Sequence, residues 1–320
     1  MRFWTQSSIL AAAVLAVAVL TVPTAAQAPF DRIVVFGASL SDSGNAFALR
    51  GGTNTPPDYQ LDPLLVPSAP YARGGHHFSN GATWVEQFAR SRGLAGSVRP
   101  ALLSADPNAT NYAVAAARAH EDGQNFNLAA QVDAFLHQFG GAAPGDALYV
   151  FEMGGNDIRD AIVVFGSGGA GPILTEANTA ILAAVTKLHG AGARKFLVWS
   201  APNVGLTPAL RRLDQINPGA AFLATSLSQA FNAGLDGVVA YLSGLDGINI
   251  RRLDAYGLIT RIVADGEAFG LANVTAACVT PNVAPYTCEN PDDFLFWDGI
   301  HPTKAAHAII AQEAASVLAQ

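Results

Sequence analysis

The sequence predicts an α/β fold in which a mostly parallel sheet is covered on both faces by helices. Two observations lead there. Short β-branched and aromatic apolar runs alternate along the chain with longer stretches of helical character. Half of the residues are apolar and only 13% are charged, ample material for one large core in a 320-residue chain. No internal repeat or linker divides the chain, so residues 29–320 are expected to form a single domain.

Residues 1–28 read as an export leader and stand outside that domain. Arg2 supplies a short positive end, Ile9 to Leu20 an apolar stretch, and Ala26-Gln27-Ala28 the small residues of a cleavage site, after Ala26 or after Ala28. The apolar run is shorter than the ~20 residues a membrane-spanning helix needs. Strands are expected over Arg32–Phe36, Thr110–Val114, Ala147–Phe151, Lys195–Trp199 and Asn249–Leu253. Helices are expected over Thr83–Arg92, Leu128–Phe139, Ile173–His189, Ala220–Leu242 and from Pro302 to about Leu318, with Pro302 in the first helical turn. Gly51–Gly75 is too long and too rich in Pro and Gly for an ordinary connection, and reads as a rim loop or a mobile segment. Gly166–Gly171 lacks the Gly-Lys-Ser/Thr ending of a phosphate-binding loop and reads as a connector.

Without Arg2, 17 basic residues face 25 acidic ones, a net charge of −8. That balance disfavours nucleic acid and anionic membranes as partners and says little about neutral esters. Cys278 and Cys288 are the only cysteines, ten residues apart in a Pro- and Asn-rich loop. In an exported chain such a pair is expected to form a disulfide, and it makes a poor zinc site without a nearby histidine cluster.

The chemistry starts at Ser39. The buried run Ile33-Val34-Val35-Phe36 stops at Gly37, and the serine follows on a tight turn toward a helix. Such a turn exposes the hydroxyl above the sheet and points its backbone N–H where an anion sits. The strand ending at Phe151 likewise runs into Gly154-Gly155-Asn156-Asp157, placing an amide side chain at its tip. A third block, Trp297-Asp298-Gly299-Ile300-His301-Pro302, lies near the C-terminus.

Together these blocks resemble the SGNH/GDSL hydrolases, a superfamily of serine esterases and lipases. The form Phe36-Gly37-Ala38-Ser39-Leu40-Ser41-Asp42-Ser43-Gly44-Asn45 is similar to its secreted phospholipase/lecithinase/haemolysin-like branch. The resemblance implies a three-layer α/β/α sandwich with a flavodoxin-like sheet and a site beyond the carboxyl ends of the strands. It implies Ser39 as nucleophile, His301 as base and Asp298 as its orienter, with Gly299 allowing the bend between them. The oxyanion would be held by the N–H of Ser39, the amide of Asn156 supported by Gly155, and a backbone N–H aligned at Ala115. The chain departs from the family pattern twice: Ala38 replaces the usual aspartate before the serine, and Ala115 the usual glycine.

Other candidates read as structural: His76-His77 as a rim pair, His120 with Glu121 and Asp122 as a solvated turn, Asp42 and Ser43 as helix-entry residues, and Asp157 as a helix cap. The expectation is therefore a secreted, extracytoplasmic serine ester hydrolase acting on a small-molecule or lipid ester. It needs no metal or organic cofactor, makes no stable membrane insertion, and leaves its oligomeric state open. The alternatives are a polysaccharide acetyl esterase using the same residues, and a catalytically weakened binding protein on the same scaffold.

Overall fold

β1 (Arg32–Gly37) is buried along nearly its whole length, and its alternate side chains enter two different cores. Val34 and Phe36 face one layer and Ile33 and Val35 the other, which makes the architecture three layers deep. The computed structural model describes residues 30–56, 58 and 62–320 together with Met1; the expected leader over 1–28 lies, Met1 apart, outside the described residues. After β1 come α1 (Asn45–Leu49), α2 (Trp84–Ser91), α3 (Leu128–Gln138), β2 (Ala147–Glu152), α4 (Gly155–Val164), α5 (Ala170–Gly190) and β3 (Lys195–Trp199). α6 (Pro208–Ile216), α7 (Ala220–Leu242), β4 (Asn249–Leu253), α8 (Ala255–Ala264), β5 (Asn273–Ala277), β6 (Phe294–Phe296) and α9 (Lys304–Ala319) complete the described chain.

The main sheet is parallel, in the order β1-β2-β3-β4, with Val35 beside Val150 and Phe151 beside Val198. Phe36, Phe135 and Phe151 meet within one face, where α3, α4, α5 and α7 cover the sheet. Trp84, Phe88, Ala311 and Ala314 bring α2 and α9 onto the other face. His307 joins these two helices, its buried Nδ1 accepting the Trp84 N–H at 3.2 Å. The sandwich is the α/β/α fold expected from the sequence.

One expected strand is replaced by an irregular segment. Residues 110–114 run along the free edge of β1, where the Val35 N–H reaches Thr110 O at 2.9 Å and the Tyr112 and Val114 N–H groups reach Val35 O and Gly37 O at 2.8 and 3.1 Å. Val35 and Asn111 form its bridge to β1, and Pro100 bridges Asn111 from the other side. On its outer side the backbone of residues 97–101 pairs with Thr110 and Asn111, the Ala101 N–H reaching Asn111 O at 2.9 Å. Asn45 Nδ2 also donates to the carbonyls of Asn111 and Ala113, and the Ala113 N–H donates to Asn111 Oδ1. With this segment as the second strand in chain order, the arrangement is 2-1-3-4-5, the flavodoxin-like order.

Helix ends differ from expectation in two places. α5 starts at Ala170, within the glycine-rich connector. α9 starts after Thr303, whose hydroxyl caps the Ala306 N–H at 3.1 Å, so Pro302 lies outside the first helical turn. β5 and β6 form a separate parallel pair, and the Cys278–Cys288 disulfide closes the loop between them. The Cys278 and Val279 N–H groups bond to Phe296 O and Trp297 O, which ties this loop to the residues just before Asp298.

Candidate active site

The Ser39 turn is held by side chains from β2 and α3. Gln131 clamps Gly37, accepting its N–H at 2.9 Å and donating to its carbonyl at 3.0 Å. Glu152 Oε2 accepts the Ala38 N–H at 3.0 Å. Its carboxyl also accepts from the N–H and hydroxyl of Ser41, and the Ser41 hydroxyl accepts from Trp84 Nε1 at 2.9 Å. Burial pushes the Glu152 carboxyl up to about 8 against the lowering effect of these donors. A buried carboxyl thus braces the turn from which the family's usual aspartate is missing.

Ser39, His301 and Asp298 come together in one hydrogen-bonded chain. His301 Nε2 lies 2.9 Å from Ser39 Oγ, and His301 Nδ1 lies 2.7 Å from Asp298 Oδ2. The carboxylate beside Nδ1 assigns the proton to that nitrogen and leaves Nε2 to accept from the serine. Asp298 is fully buried and four donors fix it. Oδ1 accepts the N–H groups of Ile300 and His301 at 2.9 and 2.8 Å, while Oδ2 also takes the Tyr71 hydroxyl at 2.7 Å. The turn between Asp298 and His301 requires Gly299, since a Cβ there would lie 2.0 Å from Leu64 O. Tyr71 and Leu64 belong to the Gly51–Gly75 segment, whose described residues buttress the Asp298 turn.

Asn156 enters from the start of α4. Its Nδ2 donates to Ala117 O at 2.8 Å and its Oδ1 accepts from Arg159 Nη1 at 3.1 Å, so the amide orientation is set and one N–H remains. The Ser39 N–H has no acceptor among the described residues.

The expectation at Ala115 requires correction. Its N–H donates to Asp42 Oδ2 at 2.9 Å and is therefore not free for an oxyanion. Asp42 also accepts from the N–H groups of Gly44, Asn45 and Ala46, serving the helix entry and this turn together. The next residue, Ala116, holds φ 71°, and its N–H has no acceptor among the described residues. Ala116 lies between Ala115, bound to Asp42, and Ala117, bound to Asn156. The supporting glycine also shifts. Space for a Cβ is open at Gly155, whereas Gly154 holds φ 108° with a Cβ position 2.6 Å from the Phe231 ring.

The remaining histidines and Asp157 are more embedded than their sequence context suggests. Asp157 is buried and accepts from the N–H groups of Ala119 and His120 and from His120 Nδ1 at 2.7 Å, so it anchors the 117–120 loop rather than capping α4. The bond to Asp157 raises the His120 pKa against the effect of its burial. His77 is buried 2.9 Å from Glu86, and His76 stacks on Phe47. Among the described residues no cluster of three His, Cys, Asp or Glu side chains is arranged to hold a metal ion.

An apolar cleft runs from the Ser39–His301 pair along the carboxyl ends of the strands. Trp199 and Pro202 follow along it, and Leu258, Ile262 and Ile310 close the far end beyond β4. Its free volume is about 100 Å³. Glu152, Asn156, Arg159, Thr207 and His301 are its polar lining with Ser39. Sequence reasoning missed Tyr71, Gln131, Glu152 and Arg159, none of which stands in a recognisable motif.

Residues 33–314 match the family model of the GDSL-like lipases/acylhydrolases. The chain belongs to that family. Among its relatives are two GDSL esterase/lipases of Arabidopsis thaliana: one is 31% identical over 183 residues, 52% of each chain, and the other 30% identical over 140 residues, 40% of each chain. These two alignments thus span about half or less of the plant proteins. A third Arabidopsis thaliana protein, GDSL esterase/lipase LIP-4, is 24% identical over 347 residues, 95% of this chain and 91% of the relative.

Proposed function

We propose that the chain is a serine ester hydrolase acting through an acyl-enzyme on Ser39. The observation that carries this reading is the relay of Ser39 Oγ, His301 and Asp298, at 2.9 and 2.7 Å. Ser39 Oγ attacks the ester carbonyl as His301 Nε2 takes its proton, and Asp298 stabilises the imidazolium. The Ser39 N–H, the free amide N–H of Asn156 and the Ala116 N–H receive the oxyanion. His301 then gives its proton to the departing alcohol, and water, activated by the same histidine, releases the acid. No step calls for a cofactor.

The apolar cleft favours an aliphatic acyl chain over an acetyl group on a glycan, so a lipid or other long-chain ester is the substrate class. The leader expected over residues 1–28 directs the chain out of the cytoplasm. The Cys278–Cys288 disulfide suits such a compartment. Among the described residues no helix is long and apolar enough to cross a membrane.

The test is hydrolysis of p-nitrophenyl acetate, octanoate and palmitate, with Ser39→Ala in parallel. Loss of Ser39 is expected to lower kcat by at least ~10³-fold, and octanoate is expected to outrun acetate. Activity that survives Ser39→Ala overturns the nucleophile assignment. Turnover confined to acetylated glycans hands the site to the polysaccharide esterase reading.

A further inference from the structure

Arg159 stands one turn after Asn156 on α4 and lines the cleft beside Ser39. The one hydrogen bond of its guanidinium among the described residues is the 3.1 Å contact from Nη1 to Asn156 Oδ1, and none of their carboxylates lies within ion-pair distance. Its neighbour Arg118 shows the contrast, pairing with Asp160 at 2.8 Å and Asp122 at 3.3 Å. Arg159 is half-buried, and burial followed by the like charge of Arg118 lowers its pKa. Asp160, Asp62 and Asp298 oppose that shift only from longer range.

Among the described residues that line the cleft, none pairs with this charge. The Glu152 carboxyl, which lines the cleft beside Ser39 together with His301, is pushed up to about 8 by burial, which disfavours its charged form. Asp298 is committed to His301, Tyr71 and two backbone donors. A guanidinium presents five N–H donors in a planar fork, and here one contact uses only part of it. Proteins seldom desolvate a cation without a partner, and such departures concentrate at functional sites.

We propose that Arg159 is an anion subsite, so that the preferred ester carries a phosphate or carboxylate close to the ester linkage on the alcohol side. This rests on the ester-hydrolase reading above. The placement follows from the cleft: its apolar far end takes the acyl chain, while Arg159 touches the same Asn156 amide that faces the reacting carbonyl. The anion then occupies the open side of the guanidinium, a few ångströms from the scissile bond.

The experiment compares three octanoyl esters: 1-octanoylglycerol 3-phosphate, 3-octanoyloxypropionate and uncharged 1-octanoylglycerol. A charge-assisted pair predicts kcat/KM roughly ten- to a hundredfold higher for an anionic ester, expressed mainly in KM. The phosphate and carboxylate arms identify which anion the fork prefers. Arg159→Gln is expected to bring the anionic-to-neutral ratio near one, and Arg159→Lys to restore part of it. Because Arg159 also touches Asn156, both variants are read by this ratio and not by rate alone. A wild-type ratio near one, or a ratio unchanged in Arg159→Gln, overturns the subsite. If no ester is cleaved, the hydrolase reading fails separately. Calorimetric binding of 1-octanoylglycerol 3-phosphate to wild type and Arg159→Gln then decides the subsite, and equal affinities refute it.

Discussion

Replacing Glu152 by glutamine tests whether a buried, protonated carboxyl braces the nucleophile turn. The side chain is 5% exposed, and burial pushes its pKa from 4.5 up to about 8. Between those values the folded chain holds a proton that the unfolded chain has released. The folded state then binds more protons, so this group's contribution to stability falls as pH rises from 4.5 to 8 and is constant above. At 1.36 kcal/mol per pKa unit, the shift amounts to about 5 kcal/mol across that window. Glutamine keeps the shape and an acceptor for the Ala38 N–H but does not titrate. Urea unfolding of both proteins at intervals from pH 4.5 to 9 isolates the effect, since other titrating groups cancel in the difference. The variant is expected to gain on wild type by about 5 kcal/mol between pH 4.5 and 8, with no further gain beyond. A difference that stays flat over this range refutes the argument, because it means the carboxyl ionises in the folded state as it does in the unfolded one.

Two further outcomes follow from the same contacts. Tyr71→Phe removes a hydrogen bond to the Asp298 carboxylate, and such bonds contribute ~1.5–3 kcal/mol, so kcat/KM on p-nitrophenyl octanoate is expected to fall ten- to a hundredfold with the fold intact by circular dichroism. Ala116→Gly relieves a side chain held at φ 71°, and the variant is expected to be more stable by up to ~1 kcal/mol in urea unfolding; a loss of stability contradicts the strain assigned to that position.

β1, β2 and β3 were legible because they are short, continuous and almost fully buried, so their apolar runs mark them without reference to anything distant, whereas β4 is only partly buried and its run is weaker. β1 to β4 lie where those runs stand, to within a residue at each end. Residues 110–114 have the same composition and become an irregular edge. Distant groups hold them there: Asn45, about 66 residues away in sequence, donates its amide to the carbonyls of Asn111 and Ala113, beside the backbone of residues 97–101. α6 and α8 were missed, and α4 was signalled only by Asp157 as a cap, for a related reason. α6 is signalled mainly by its Thr207 cap and Pro208, and α4 begins inside a glycine pair whose sequence reads as a turn.

The same division runs through the site. Ser39, Asn156 and the Asp298–His301 pair sit on turns that leave strand ends or precede α9, so local motifs announce them. The groups that hold them in place arrive across the fold. Glu152 reaches Ala38 over 114 residues and Tyr71 reaches Asp298 over 227, and neither carries a local signature. Ala115 shows how such distant groups change an assignment. An alignment can match its backbone to a donor position, but only the fold shows Asp42, 73 residues earlier, already occupying that N–H. A backbone donor is available only when nothing else in the structure accepts from it, and that condition belongs to tertiary structure. Arg159 follows the same logic in reverse: its significance lies in the absence, among the described residues, of a carboxylate paired with it, which no motif in one sequence can display.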